Sequence, residues 1–348
     1  MVVDFDIIVV GAGPAGSYFT SLVEGGFKVL VLEQKKQTGG KACSGLVSQD
    51  IKKFIPVDGL VESELDSCIL HAASGKMAKL GIKQSTFALD RDRLDKFLVE
   101  RLKSPVKFGV KVGGVEIGDG VKVKTNQGVF TSKFIVGCDG ANSVVRNHFD
   151  QKPMDNVIGL MVMAEEKDLS TSFEVWFDTN LVKDGFLWKI PRGRRVEYGV
   201  LGTGIKFGLL EDFFKIKRKK CLCERRAAPI PAGFHKTYFD RTLLIGDAAA
   251  QTKPWSFGGI LYGFIGGKYA APVVIEALQK NKFTEVFLEK YQKGWRSEMG
   301  KSISMGMMFR EFFQELNNKK IDQMFEIVKK SGLKEIDMDH PFIGLLGL

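Results

Sequence analysis

An apolar run, Asp6-Ile7-Ile8-Val9-Val10, ends directly on Gly11-Ala12-Gly13-Pro14-Ala15-Gly16, and Ala15 to Val23 then reads as a helix. Strand, glycine turn and helix in that order commit the N-terminal region to a Rossmann-like α/β unit. Gly11 permits the tight turn, Gly13 lets the backbone approach a pyrophosphate, and Gly16 allows close helix packing. The N–H groups at the helix start face the phosphates. A second strand, Lys28-Val29-Leu30-Val31-Leu32, delivers Glu33. An acid at that distance accepts a hydrogen bond from a ribose 2′-hydroxyl and repels a 2′-phosphate, so the expected dinucleotide is unphosphorylated there. Ala15 and Gln34, neighbours of these positions, are counted with the same site.

Two further glycine-acid patterns follow strand-like runs. Lys133-Phe134-Ile135-Val136-Gly137 leads into Cys138-Asp139-Gly140-Ala141-Asn142-Ser143-Val144-Val145-Arg146, and Thr242-Leu243-Leu244-Ile245 leads into Gly246-Asp247. The bland reading of Asp139-Gly140 is a strand-end turn. In a doubly wound sheet ligands bind at strand carboxyl ends, so Asp247 is placed to hold a cofactor hydroxyl such as one on a ribityl chain.

With these residues in view the chain resembles the flavoprotein hydroxylase superfamily, in which the three patterns build one FAD site; the match covers most of residues 1 to 295. The closer resemblance is to the geranylgeranyl reductase family, through Lys41-Ala42-Cys43-Ser44-Gly45, Leu89-Asp90-Arg91 before a helix, and Gly185-Phe186-Leu187-Trp188-Lys189-Ile190-Pro191. The last segment is similar to the family pattern Tyr-x-Trp-x-Phe-Pro, with Phe186 and Ile190 in place of its first aromatic and its Phe. The resemblance implies FAD as cofactor, with Lys41, Ala42, Arg91, Gly258, Gly259 and Ile260 joining the three patterns around it. It also implies an apolar substrate wall that includes Trp176, Phe186, Trp188 and Pro191. Cys43 is the one candidate catalytic residue, set by its family counterpart on the substrate side of the flavin. Its bland reading is an inert buried thiol. Arg146 has a bland reading too, capping its own turn.

Hydrophobic residues make up 44% of the 348 and charged ones 26%, which suits a soluble enzyme with two cores. Met1 lies almost against the first strand, so no secretory leader is expected and the location is cytoplasmic, with peripheral contact at the inner membrane face left open. Five cysteines, Cys43, Cys68, Cys138, Cys221 and Cys223, are odd in number and irregularly spaced, which fits reduced thiols. Four scattered histidines and a lone Cys221-x-Cys223 give no metal site. The net charge of +10 is concentrated in Lys215-Ile216-Lys217-Arg218-Lys219-Lys220 and Arg225-Arg226. No nucleic-acid module accompanies it. A solvated helix face is the bland reading, and attraction to anionic headgroups, a substrate phosphate or an acidic electron carrier is the functional one. Trp255 to Ile275 is apolar but carries five glycines, Lys268 and Pro272, which argues for a loop and helix beside the flavin over a membrane span. The apolar stretch Ile303 to Phe309 and the tail Phe342 to Leu348 read as buried helix and docked tail before membrane contact.

The expected organisation is a discontinuous FAD-binding domain (1–66, 90–150 and 236–290), an antiparallel-sheet substrate domain (67–89 and 151–235) and a helical C-terminal region (291–348). The overall class is α/β in the cofactor domain and α+β for the whole chain. The resemblance implies a reductase of carbon-carbon double bonds in geranylgeranyl chains, acting on an archaeal-type ether lipid precursor or a prenyl diphosphate. Its electron donor, a ferredoxin-like carrier or NAD(P)H, stays open. An isolated alkene offers no charge to grip, so recognition rests on apolar burial. The alternatives from other classes are an aromatic monooxygenase, a flavin electron-transfer protein, and a lipid-binding protein without flavin.

Overall fold

The computed structural model describes residues 3–149, 154–216 and 224–341. Residues 217–220 of the basic run, Cys221, Cys223 and the tail 342–348 lie outside the described residues. The chain divides into two compact units.

The first unit gathers Met1–Gly39, Asp92–Asn156 and Pro231–Ser304. Its sheet runs, in spatial order, Tyr238–Phe239, Thr242–Leu244, Gly128–Gly137, Phe5–Val10, Val29–Glu33 and Val106–Phe108. All these pairings are parallel except the hairpin at its edge. Ile7, Ile8, Leu30 and Val31 are buried on both faces of the sheet, which is why their strands are unbroken apolar runs. Strand Val121–Thr125 pairs antiparallel with Gly128–Gly137, and Val112–Ile117 pairs antiparallel with Val121–Thr125 in turn. In register, Val10 pairs with Gly137 and Gly137 with Leu244. The three glycine-acid patterns therefore emerge side by side at the carboxyl ends of three adjacent parallel strands, where an open α/β sheet binds its ligand.

Helix Ile260–Lys280 packs against helix Pro14–Val23. A Cβ at Gly263 would stand 3.1 Å from the Ala15 Cβ, and one at Gly267 would stand 3.0 Å from the Tyr18 ring. Gly266 makes room for the Gln251 side chain. Of the glycines read from sequence as part of a loop and helix beside the flavin, Gly263 and Gly267 serve helix packing, Gly266 accommodates Gln251, and Gly258 and Gly259 lie ahead of the helix. Among the described residues no helix is long and apolar enough to cross a membrane.

The second unit holds Gly40–Arg91, Val157–Ile230 and Met305–Leu348. Its main sheet follows the order Glu224–Ala232, Asp155–Ala164, Arg195–Gly202, Phe186–Arg192, Ser172–Phe177, Val61–Ala72, Met77–Leu89 and Glu335–Ile336, with Leu46–Ser48 added beside Met77–Leu89. From Asp155–Ala164 to Met77–Leu89 the pairings are antiparallel except where Ser172–Phe177 runs parallel to Val61–Ala72, and Glu335–Ile336 lies parallel to Met77–Leu89. One face carries Leu65, Cys68, Phe173, Val175 and Ile190, with Val328 and Leu333 of the C-terminal segment packed on it. The other carries Leu160, Val162, Leu187, Val200 and Leu210.

The division falls at Gly39/Gly40, where the sequence reading set it at 66, because Leu46–Ser48 and Val61–Ala72 both pair with Met77–Leu89. The C-terminal helices form no third unit: Glu285–Gln314 starts in the first unit and ends in the second.

Candidate functional site

The glycine turn is built by close approach. Gly11 has φ +101°, and a Cβ there would lie 2.3 Å from the carbonyl oxygen of Cys138; at Gly16 it would lie 2.1 Å from the carbonyl oxygen of Gly11. Gly13 differs: a Cβ on it would meet nothing within 4 Å. Gly13 is also the N-cap of helix Pro14–Val23 and gives its amides no side-chain acceptor. Open space ahead of uncapped helix N–H groups is what a pyrophosphate requires. Glu33 Oε2 accepts from the Ala12 N–H at 2.9 Å and Oε1 from the Lys35 N–H at 2.9 Å, which ties the second strand end to the glycine turn. A carboxylate has roughly four acceptor sites, so a ribose hydroxyl still has a place on it. Gln34 is exposed beside it.

Asp139 behaves otherwise. Its Oδ1 accepts from the Ser143 hydroxyl at 2.5 Å and its Oδ2 from the Val144 N–H at 2.7 Å, so both oxygens cap the short helix Val144–Asn147. Burial raises its carboxyl despite those bonds. Arg146 donates to the Ala141 carbonyl at 2.8 Å and is buried within its own turn. Gly140, at φ +82°, leaves open space where a side chain would be.

At the third pattern, a Cβ on Gly259 would stand 2.8 Å from Asp247 Oδ1, which sets the carboxylate against the start of helix Ile260–Lys280. Gly259 is that helix's N-cap, again without side-chain capping. Ile260 is buried at its first turn. The Asp247 turn is braced from behind: the Gly246 N–H donates to Gln251 Oε1 at 2.8 Å, Gln251 Nε2 to the Tyr291 hydroxyl at 2.9 Å, and that hydroxyl to the Leu244 carbonyl at 2.7 Å. Gln251 and Tyr291 were not among the sequence candidates. Nothing in a lone Gln and a Tyr forty positions apart announces the pairing.

The family described as "FAD binding domain" matches residues 4–194, more than half of the chain. The chain belongs to this FAD-binding domain family. FAD is thus its cofactor, and the open, uncapped turn at Gly13 fits the group. The FAD-binding chain is 29% identical to an uncharacterized protein of Methanocaldococcus jannaschii, with 97% of this chain and 92% of the relative aligned. It is 27% identical to digeranylgeranylglycerophospholipid reductase 1 of Methanococcoides burtonii, over 96% of this chain and 90% of the relative. A solved geranylgeranyl bacteriochlorophyll reductase-like protein of Thermoplasma acidophilum shares the fold, with TM-score 0.85 and 20% identity over 93% of this chain and 91% of that one.

The remaining candidates of this FAD-binding chain lie in its second unit. Lys41, Ala42 and Cys43 are half-buried in the loop before strand Leu46–Ser48. The Lys41 carbonyl accepts from Arg226 Nη1 at 3.4 Å. Arg91 is buried, with its side chain beside Gly45. The four residues proposed as one wall separate by strand parity. Trp188 stands opposite Val175 and Trp176 opposite Leu187, and successive side chains point to opposite faces. Phe186 and Trp188 belong to the face of Leu65 and Ile190, with ring centroids 6.2 Å apart. Trp176 belongs to the other face, stacked on His71 at 4.5 Å and edge-on to Phe213 and Phe214. Pro191 is buried and pairs with Val196 of that second face. Phe186 and Trp188 therefore share one aromatic cluster, continued by Phe177 at 6.0 Å from Phe186, and Trp176 and Pro191 are not part of it. Cys68 is buried on the same sheet, its thiol pushed up to about 12 by burial. Among the described residues no group of three or more His, Cys, Asp or Glu is arranged to hold a metal ion.

Proposed function

We propose that the protein is an FAD-dependent reductase that hydrogenates carbon-carbon double bonds of geranylgeranyl chains, in the making of archaeal-type ether lipids. The observation that carries it is similarity along 96% of the chain to a digeranylgeranylglycerophospholipid reductase, joined to the FAD-binding family. FAD, when bound, supplies the hydride. Gly11, Gly13, Ala15 and Gly16 cradle its pyrophosphate, Glu33 and Gln34 its adenosine ribose, and Gly140, Gly246, Asp247, Gly258, Gly259 and Ile260 its flavin half. Asp139 supports Gly140 through its turn. Lys41, Ala42 and Arg91 stay assigned to the cofactor by resemblance.

The chain's own part in the chemistry is apolar. Each methylene taken from water contributes about 0.8 kcal/mol, so a prenyl chain is held by surfaces such as Phe186, Trp188 and Phe177 without charged contacts. Those surfaces also exclude water. Cys43 is assigned to shaping the substrate side or holding a proton there. The substrate is a geranylgeranylated lipid or prenyl diphosphate. Arg225 and Arg226, at the described end of the basic run, suit an anionic headgroup, an acidic carrier or a membrane surface; a ferredoxin-like carrier or NAD(P)H reduces the flavin.

The test is anaerobic: dithionite-reduced protein is mixed with a geranylgeranylated ether phospholipid while flavin absorbance and product mass are followed. Reoxidation with gain of one hydrogen pair per reduced bond is expected. Flavin that stays reduced without oxygen, and reoxidises with it only beside an aromatic ligand, would replace this reading with a monooxygenase.

A further inference from the structure

We propose that the buried pair Arg192 and Glu197 is a positioning device that locks Trp188 and the loop carrying Cys43 into one fixed arrangement, and so sets how a prenyl chain is presented. The inference rests on the reading of Phe186 and Trp188 as the substrate face.

The Arg192 side chain is 3% exposed and that of Glu197 0%. Ions buried so completely give up most of their hydration, and an apolar pair of similar volume often packs at no loss of stability. What an apolar pair lacks is direction. Arg192 Nε and Nη2 both donate to Glu197 Oε2, at 3.1 and 2.6 Å. Its Nη1 donates to Glu62 Oε2 at 2.6 Å and to the Leu89 carbonyl at 3.2 Å, and its Nη2 also reaches the Ser44 carbonyl. Burial opposes the charge, but Glu197 and Glu62 outweigh it and hold the guanidinium above the ordinary arginine range. The other oxygen of Glu197 accepts from Trp188 Nε1 at 2.7 Å. The indole lies flat over Gly199, where a Cβ would come within 1.9 Å of its Cζ2.

One guanidinium thereby joins the three segments that carry the family resemblance. Ser44 follows Cys43, Leu89 precedes Asp90-Arg91, and Trp188 is the centre of Gly185 to Pro191. Lysine cannot reproduce this, since a single ammonium lacks the planar fork that serves two carboxylates and two carbonyls together. Glu197 bears on Trp188 directly and Arg192 on the backbone next to Cys43, so the pair acts by positioning those two residues.

The experiment compares Arg192→Lys, Glu197→Gln and Val200→Ala, the last a core substitution on the opposite face with no part in the network. Each holoprotein is checked for flavin content and thermal midpoint. Cys43 alkylation by iodoacetamide is then timed by peptide mass spectrometry, and kcat and KM are measured with the prenyl lipid. Both network variants are expected to raise the Cys43 labelling rate about tenfold, the effect of freeing one charge-assisted hydrogen bond, and to shift kcat and KM unequally, with flavin content held. Val200→Ala is expected to lower the midpoint without either change. Equal labelling in all three variants would make the pair a plain core brace and overturn the proposal. Should Arg192→Lys not fold, Glu62→Gln, which removes one outer partner and leaves Glu197 in place, is read in the same way. Labelling needs no substrate, so altered labelling in a protein inert toward prenyl lipids would sink the proposed reaction and leave the positioning pair standing.

Discussion

Gly11 and Gly13 are two positions apart in one motif, yet they do different work, and alanine separates them. At Gly11 the new Cβ would stand 2.3 Å from a backbone oxygen at φ +101°, so Gly11→Ala should cost the flavin-free protein about 1 to 3 kcal/mol or more. Gly13 has φ −73° and ψ −179°, which alanine adopts freely, and its Cβ would meet nothing. Gly13→Ala should leave the thermal midpoint of the flavin-free protein unchanged and weaken flavin retention at least about tenfold, the scale of one displaced phosphate contact. Dialysis against a flavin-free buffer, followed by absorbance, reads the second effect. Equal loss of stability in both would make Gly13 a packing residue. Asp247→Ala should likewise give folded, flavin-poor protein, and full occupancy would remove Asp247 from the site. The glycine turn was legible because Gly11 and Gly16 answer local steric demands and Gly13 leaves the space a pyrophosphate needs. The tasks of Asp139 and Arg146 were less so, since whether an Asp faces a ligand or caps the next helix depends on side-chain rotation that spacing does not record.

Among the elements, the strand from Phe186 to Arg192 shows what the sequence leaves open. Its aromatic pattern was readable, but which aromatics share a face depends on register with the preceding strand Ser172–Phe177. Strand pairing puts Trp176 with Leu187 and Trp188 with Val175, so the two tryptophans belong to different cores. Trp176→Ala should therefore lower stability by about 3 kcal/mol through lost contact with His71, Phe213 and Phe214, while sparing KM for a prenyl substrate. Trp188→Ala should raise KM with flavin content intact, and matched loss of flavin and turnover would return it to the structural core. Helix Ile260–Lys280 teaches a similar lesson. Its glycines were visible, but their partner was Ala15 and Tyr18 on another helix, which only the tertiary fold reveals. Gly263→Leu should cost about 1 to 3 kcal/mol by forcing those helices apart, measured as a denaturant midpoint shift at constant slope.

At the scale of the whole molecule, the discontinuity of the cofactor unit was legible because three strand-turn patterns, far apart in sequence, make sense only as neighbours in one parallel sheet. The cut at Gly39/Gly40 was not, because a three-residue strand and a parallel pairing between Val61–Ala72 and Ser172–Phe177 leave no local signature. Both units share one electrostatic habit: they bury weak acids in neutral form. Burial lifts the Cys68 thiol to about 12, burial and then the charge of Asp139 lift Cys138, burial lifts Tyr291, and burial and then Glu166 lift Tyr198. In the unfolded chain thiols ionise near pH 9 and phenols near pH 10. A proton held more tightly in the folded state stabilises it fully below the unfolded value, and that contribution is lost as pH rises toward the folded one. Stability should accordingly be level from pH 7 to about 9 with respect to these groups and fall steadily above it. Thermal midpoints taken at constant ionic strength from pH 7 to 11 read this directly. Cys68→Ala lowers the starting midpoint by its lost packing, so the informative quantity is the slope, which should be shallower above pH 9 in the variant than in the parent. Parallel slopes would mean that the Cys68 thiol ionises alike in both states, and that its burial in the sheet of the second unit is too loose to hold the proton.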